Sequence, residues 1–182
     1  MRERSKTVFL KILTPEMRHI ALVRNRADRM PTGDIQPEGW GLVGGGQVPE
    51  DINPVMFDLI RKHTRTPDLP EWLLHELSTA FREMWEEADI RPEEIVVNHK
   101  KSLEIDKKKN HSVIVFDAVF LNEDISRGLH SNDPKGQVAE ARWIPVEDLQ
   151  DGKINGVKIY RAHLDILNNI KNERFDYNYR IL

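Results

Sequence analysis

REMWEEADI, residues 82–90, sets three glutamates and an aspartate beside a single arginine. Like charges one turn apart on a helix repel by ~0.2–0.5 kcal/mol per pair, so such crowding needs a cause. The surrounding run EWLLHELSTAFREMWEEA, residues 71–88, has the periodicity of an amphipathic helix. Leu74, Leu77, Phe81, Met84, Trp85 and Ala88 share one stripe, the spacing of a buried face. Glu76, Glu83, Glu86 and Glu87 fall on the opposite side, three and four residues apart, with no lysine among them. A divalent cation bound there would relieve the repulsion. Oxygen donors without histidine or cysteine suit a hard ion, Mg²⁺ or Mn²⁺. The alternative is an acidic face that is simply solvated.

Working outward, KTVFLKIL and HIALVRNR read as two strands joined by the turn TPEMR. The glycine- and proline-rich MPTGDIQPEGWGLVGGGQVPED, residues 30–51, reads as a loop in which Trp40 packs. Asn53 as N-cap and Pro54 at the first helical position predict a helix over 53–64. Beyond the acidic helix, EEIVVNHKKSLEI and HSVIVFDAVFL read as strands around the basic turn DKKKN, and VAEARWIPV as a further strand. Val157, Tyr160, Leu164, Leu167 and Ile170 predict a helix over 155–170. The tail RFDYNYRIL alternates Phe175, Tyr177, Tyr179 and Ile181 with polar residues, as an edge strand would. Strands before, between and after helices make this an α/β protein with a mixed sheet.

The 182 residues suit one domain with a real core, expected to span 1–182. A net charge of −3 gives no electrostatic mark of a nucleic-acid or membrane-surface binder. The complete lack of cysteine excludes disulfides, thiolate metal sites and cysteine nucleophiles, and suits a reducing cytoplasm. The apolar run near the start is broken by lysine and too short for a signal peptide or a membrane span. The histidines form no HxH or HxxxH pair, and no phosphate-loop, dinucleotide or GxSxG motif is present.

REMWEEADI resembles the second half of the Nudix box, G-x5-E-x7-R-E-U-x-E-E-x-G-U, with U a bulky aliphatic residue. Arg82, Glu83, Met84, Glu86, Glu87 and Ile90 match in register. Upstream, GWGLVGGGQV is similar to the glycine-rich start of the box, with Gly45 and Gly46 in place of the paired glycines. Downstream, VAEARWIPVEDL is similar to the tryptophan-bearing strand that follows in this family. The resemblance implies an α/β/α sandwich of Nudix type with one extra inserted helix.

Two departures stand out. Residues 47–81 separate Gly46 from Arg82, an insertion of about 22 residues over the family pattern, lying at about 50–70. The register of the leading glutamate, counted back from Arg82, falls on Leu74, leaving Glu50 or Glu76 to stand in. Asp89 replaces the glycine that ends the box helix. That position usually takes the left-handed conformation, which aspartate visits more readily than most residues.

The resemblance implies a metal-dependent pyrophosphohydrolase that splits the diphosphate of a nucleoside diphosphate joined to another group. Glu83, Glu86 and Glu87 would be the metal ligands, Arg82 would brace the glycine segment, and the Gly46 carbonyl would be a further ligand. A later acid often completes the family site; its register falls on Gln137, leaving Asp133 and Glu140 as substitutes. Dimers are common in the family, and the alternating tail would be a natural contact. The competing expectation is a Nudix-fold module that binds or senses a nucleotide without turnover.

Overall fold

In a computed structural model the fold is described for residues 5–29, 35–64, 68–108, 111–122 and 124–168. The element order is β1 (Ser5–Leu13), β2 (His19–Asn25), β3 (Asp28–Arg29), β4 (Ile35–Gln36), β5 (Gly39–Gly46), α1 (Pro54–Thr64) and α2 (Glu71–Ala88). Then come β6 (Ile95–Lys108), β7 (His111–Phe120), β8 (Val138–Pro145), β9 (Lys153–Ile154), β10 (Val157–Lys158) and α3 (Arg161–Leu167). Six strands form one sheet in the order β6-β7-β1-β5-β2-β8. β1 runs parallel to β7, with Ser5 opposite His111 through Leu13 opposite Val119, and the other main pairings are antiparallel, so the sheet is mixed.

Period-2 alternation divides the core between the two faces of this sheet. On β1, Val8, Leu10 and Ile12 join one cluster with Ala21, Val23 and Val43; Leu77, Phe81 and Met84 of α2 cover it. Leu13, Ile20, Leu22, Trp40 and Leu42 point the other way, toward Ile166 and Leu167 of α3. Helices on both faces make the α/β/α sandwich. The His163 ring of α3 also accepts the Leu42 backbone N–H at 2.9 Å, fixing that helix over β5.

The inserted helix α1 starts as its sequence predicts. The Asn53 side-chain oxygen accepts the N–H groups of Val55 and Met56 at 3.0 and 3.4 Å, and Pro54 opens the helix. Phe57 and Ile60 are buried in the core cluster shared with α2, so the insertion extends that core. No described helix is long and apolar enough to cross a membrane.

Four readings change. Residues 39–46 are a central strand and not part of a loop, with Gly44, Gly45 and Gly46 opposite Phe9, Val8 and Thr7. Trp40 accordingly lies in that strand, 1 % exposed in the core. The last helix begins at Arg161 and not near 155. Asn155 and Gly156 both have positive φ, making the turn that pairs Val157 with Ile154. Trp85 is 52 % exposed and not core. The aromatic tail, with Phe175, Tyr177, Tyr179 and Ile181, lies outside the described residues, as does Ile170.

Candidate active site

The acidic helix is not split cleanly into a buried apolar stripe and a solvated acidic one. α2 packs against β5, β1 and α1, so Glu76 is fully buried and Glu87 is 9 % exposed. Burying a charge is unfavourable unless it is paired and hydrogen-bonded. The two glutamates meet that demand differently. Glu76 accepts from Lys6 Nζ at 2.8 Å, which commits its charge to a local ion pair. Glu87 accepts the Gly44 backbone N–H at 2.8 Å and has other carboxylates around it.

The glycines at the end of β5 allow this approach. A Cβ on Gly45 would lie 2.3 Å from Glu83 Oε1, and one on Gly44, whose φ is 145°, would lie 2.2 Å from the Val8 carbonyl oxygen. Gly46, expected to be bare for close approach, meets nothing within 4 Å of its Cβ position. The steric need for glycine therefore sits at Gly44 and Gly45. The carbonyl of Gly46 accepts from Arg82 Nη2 at 3.1 Å.

Arg82 ties the cluster together. Its Nε donates to Asp51 Oδ1 at 2.6 Å, while Nη1 lies 2.9 Å from Glu83 Oε1 and 3.0 Å from Glu86 Oε2. Burial works against its charge, but the Asp51 hydrogen bond and the charges of Glu83, Asp51 and Glu86 raise its pKa further and keep it protonated. One guanidinium thus serves three carboxylates. Burial also raises the Glu83 pKa, against the pull of Arg82. Burial and the charge of Glu83 push the Glu87 pKa well up, with Asp133 and Glu86 adding to it and the Gly44 N–H opposing. The cluster has more negative charge than cations to offset it.

Asp51 is the residue that the sequence reading missed. It is 2 % exposed and its Oδ2 also accepts the Val48 N–H at 2.9 Å and the Thr79 hydroxyl at 2.8 Å. Counting back from Arg82 crosses the insertion and lands on Leu74, which is buried in the apolar core. Counting six residues forward from Gly46 lands on Ile52, but from Gly45, where the close approach of Glu83 requires glycine, the count lands on the acid Asp51. Glu50, beside it, is exposed, and Glu76 is held by Lys6.

Of the two later acids, Asp133 comes to the cluster. Its carboxylate accepts the backbone N–H groups of Lys135 and Val138, each at 2.8 Å, and that of Gln137. Its charge still reaches Glu87. Glu140 lies on β8 opposite Arg24, with which it pairs at 3.2 Å, and it also pairs with Arg142, so its charge is taken up by arginines. Gln137 donates its side-chain amide to Asp28 at 2.8 Å.

The donor set fits a hard divalent ion in chemistry: three adjoining carboxylates, a fourth nearby, and charge left uncompensated. Among the described residues no three acidic, histidine or cysteine side chains enclose a ready-made cage. Mg²⁺ does not require one, because it keeps several waters and shares its coordination between one or two carboxylates and substrate phosphates.

Comparison with known proteins bears on the family and the fold. The Nudix domain family profile matches residues 75–163, starting just after the insertion. The sequence has no match among curated proteins. Among solved structures, a Nudix hydrolase from Nitrosomonas europaea superposes with a TM-score of 0.59 at 12 % identity, over 95 % of this chain and 73 % of that one. The Nudix domain of Shewanella oneidensis NrtR, complexed with ADP-ribose, gives 0.57 at 14 % identity, over 94 % and 89 %. An Ap4A hydrolase of C. elegans, solved as a binary complex, gives 0.52 at 18 % identity, over 91 % and 96 %.

Proposed function

We propose that the chain, matched by the Nudix domain family over residues 75–163, is a Nudix-type hydrolase: a divalent-metal-dependent pyrophosphohydrolase acting on a nucleoside diphosphate linked to a second group. The observation that carries this reading is the pairing of Arg82 with Asp51, Glu83 and Glu86, which leaves Glu87 acidic, buried and facing the glycine strand.

Glu83, Glu86 and Glu87 would hold Mg²⁺ or Mn²⁺, with Asp133 as the nearby fourth carboxylate. When bound, the ion supplies positive charge that brings an anionic diphosphate to a negative surface and polarises its phosphoryl oxygens. The protein's own groups do the positioning. Arg82 fixes the carboxylates of Glu83 and Glu86 on one side of the helix and the Gly46 carbonyl on the strand. Gly44 orients Glu87 through its N–H, and Gly45 leaves room for Glu83. The raised pKa of Glu87 means its carboxyl holds a proton more readily than usual, so cation binding there releases protons.

A cleft of ≈ 720 Å³ runs beside Asp133, between residues 125–133 and edge strand β8, and includes Leu129, His130 and Trp143. Its lining mixes apolar Leu129, Val138 and Trp143 with His130, Asp133 and Arg142, a combination that suits a nucleotide derivative with both organic and polar parts. Because the compared structures include an ADP-ribose complex and an Ap4A hydrolase, the first substrates to assay are ADP-ribose and dinucleoside polyphosphates.

The test is hydrolysis of a mixed panel of diphosphate-linked nucleotides with Mg²⁺, with Mn²⁺ and with chelator, products identified by mass spectrometry. Metal-dependent release of a nucleoside monophosphate is expected. Tight binding of one member without turnover would overturn the enzymatic reading in favour of a nucleotide sensor.

A further inference from the structure

The position where the family has glycine is used differently in this chain. Asp89 ends α2 in the left-handed conformation, φ 52° and ψ 35°, which a glycine would adopt without a Cβ penalty. The aspartate side chain does something glycine cannot. Its Oδ1 accepts from Asn132 Nδ2 at 2.9 Å. The Asn132 backbone N–H donates to the Glu86 carbonyl at 2.7 Å, and its Nδ2 also reaches the Trp85 carbonyl at 3.4 Å. From the same segment, Arg127 Nη2 donates to the Asp89 carbonyl at 3.0 Å, and Arg127 Nη1 pairs with Glu94 at 3.1 Å.

These contacts dock residues 127–132 on the last turn of the helix that carries the glutamates, where the Trp85 carbonyl also accepts the Asp89 N–H at 3.1 Å and the Glu86 carbonyl takes the Asn132 N–H. The next residue is Asp133. A carboxylate has about four lone-pair sites, and three of those on Asp133 are taken by the backbone amides of Lys135, Gln137 and Val138. The 133–138 turn is held at its far end by the start of β8, where Val138 lies opposite Asn25 and the Gln137 carbonyl accepts the Arg26 N–H at 2.8 Å. At its near end the anchor is the residue before Asp133, so Asn132 helps set where this carboxylate stands within electrostatic reach of Glu87.

Building on the metal-site reading above, we propose that Asp89 and Asn132 form a positioning pair that clamps the 127–138 segment to the end of α2 and so holds the Asp133 carboxylate in the cation site. Neither residue touches the ion. Asp89 stands in place of the family glycine because the side chain is needed as an acceptor at a point where the backbone must be left-handed.

The experiment compares Asp89→Gly, Asp89→Asn, Asn132→Ala and the Asp89→Gly/Asn132→Ala double variant, reading amide hydrogen exchange, thermal unfolding and Mn²⁺ affinity of the substrate-free protein. Asp89→Gly is expected to unfold no more easily than the parent, since glycine suits the left-handed site. Its amides at Asn132, Lys135, Gln137 and Val138 should exchange faster while those of α2 keep their protection. Mn²⁺ affinity should fall about tenfold, the scale of an outer-shell contact. Asp89→Asn, which keeps both an acceptor oxygen and left-handed tolerance, should restore both properties. The double variant should be no worse than either single change. Parent-like protection of the loop amides in Asp89→Gly would overturn the clamp, and parent-like Mn²⁺ affinity alongside a loosened loop would overturn its role at the cation site. If the parent protein bound no Mn²⁺, the metal reading would fail on its own, and loop exchange would still decide whether the clamp exists.

Discussion

The two halves of α2 bury acidic side chains in opposite ways. In the first half, Glu76 has its own lysine, Lys6, at 2.8 Å from the neighbouring strand. In the second half, Glu83 and Glu86 share a single arginine, which Asp51 also claims, and Glu87 is held by the Gly44 N–H and not by that arginine. The helix and the residue type are the same; the balance of charge differs. A buried carboxylate with its own cation is scaffold. Carboxylates held together with too few cations mark a place for a ligand, because the protein maintains a repulsion that something else must relieve.

The hardest way to break this contrast is Glu87→Gln. The amide can still accept the Gly44 N–H, so the fold should persist, but a ligand oxygen charge is lost. Cation contributions of several kcal/mol correspond to a drop in kcat of about a thousandfold, read in steady-state hydrolysis assays. Near-parent activity would sink the metal site. Asp51→Ala should come next. It strips Arg82, Thr79 and the Val48 N–H of their shared acceptor and should destabilise the fold by about 3 kcal/mol in urea unfolding, the scale for breaking one side of a buried ion pair.

A pH series sharpens the same comparison without mutation. Folded-state pKa values of Glu83 and Glu87 lie above the ordinary 4.5, so their protonated forms favour the native state. That stability is fully present below about 4.5 and is lost as pH rises through the two folded values. In chelator, thermal stability should therefore decline from pH 4.5 upward through this window. Mg²⁺ should restore it at the upper end, and Glu87→Gln should flatten the decline. The smallest effect belongs to the scaffold half. Replacing Lys6 and Glu76 together by methionine and leucine should change stability by less than about 1.5 kcal/mol and leave turnover unaltered, because a buried ion pair is often replaceable by apolar groups of similar size.

Much of this was legible before the structure. The bounds of α2 follow from its apolar spacing and from Ala88–Asp89, and the strand runs follow from β-branched residues and alternation. What escaped did so for physical reasons. GWGLVGGG lacks the side chains by which a strand is recognised, yet its backbone pairs on both sides, and its glycines stand where Tyr160, His163, the Val8 carbonyl and Glu83 come too close for a Cβ. The spacing assigns Trp85 to the buried stripe, but it lies half-exposed while Met84 before it and Ala88 after it are fully buried. Asp51 was hidden by the insertion, which broke the count from the arginine side alone. Burial of Glu76 and Glu87 was not readable either, since a helical wheel has no way to show that a helix is packed on more than one side.

The attachments of Asp51 also have a consequence for engineering. Val48, Thr79 and Arg82 hold it at one end of the detour, and α2 holds the other, so the chain from 52 to 70 leaves and rejoins the framework at fixed points. The entropy of closing a loop grows only slowly with its length. That makes the exposed Asp68 a graft point: a peptide tag or reporter domain spliced there should leave the geometry of the carboxylates as it stands.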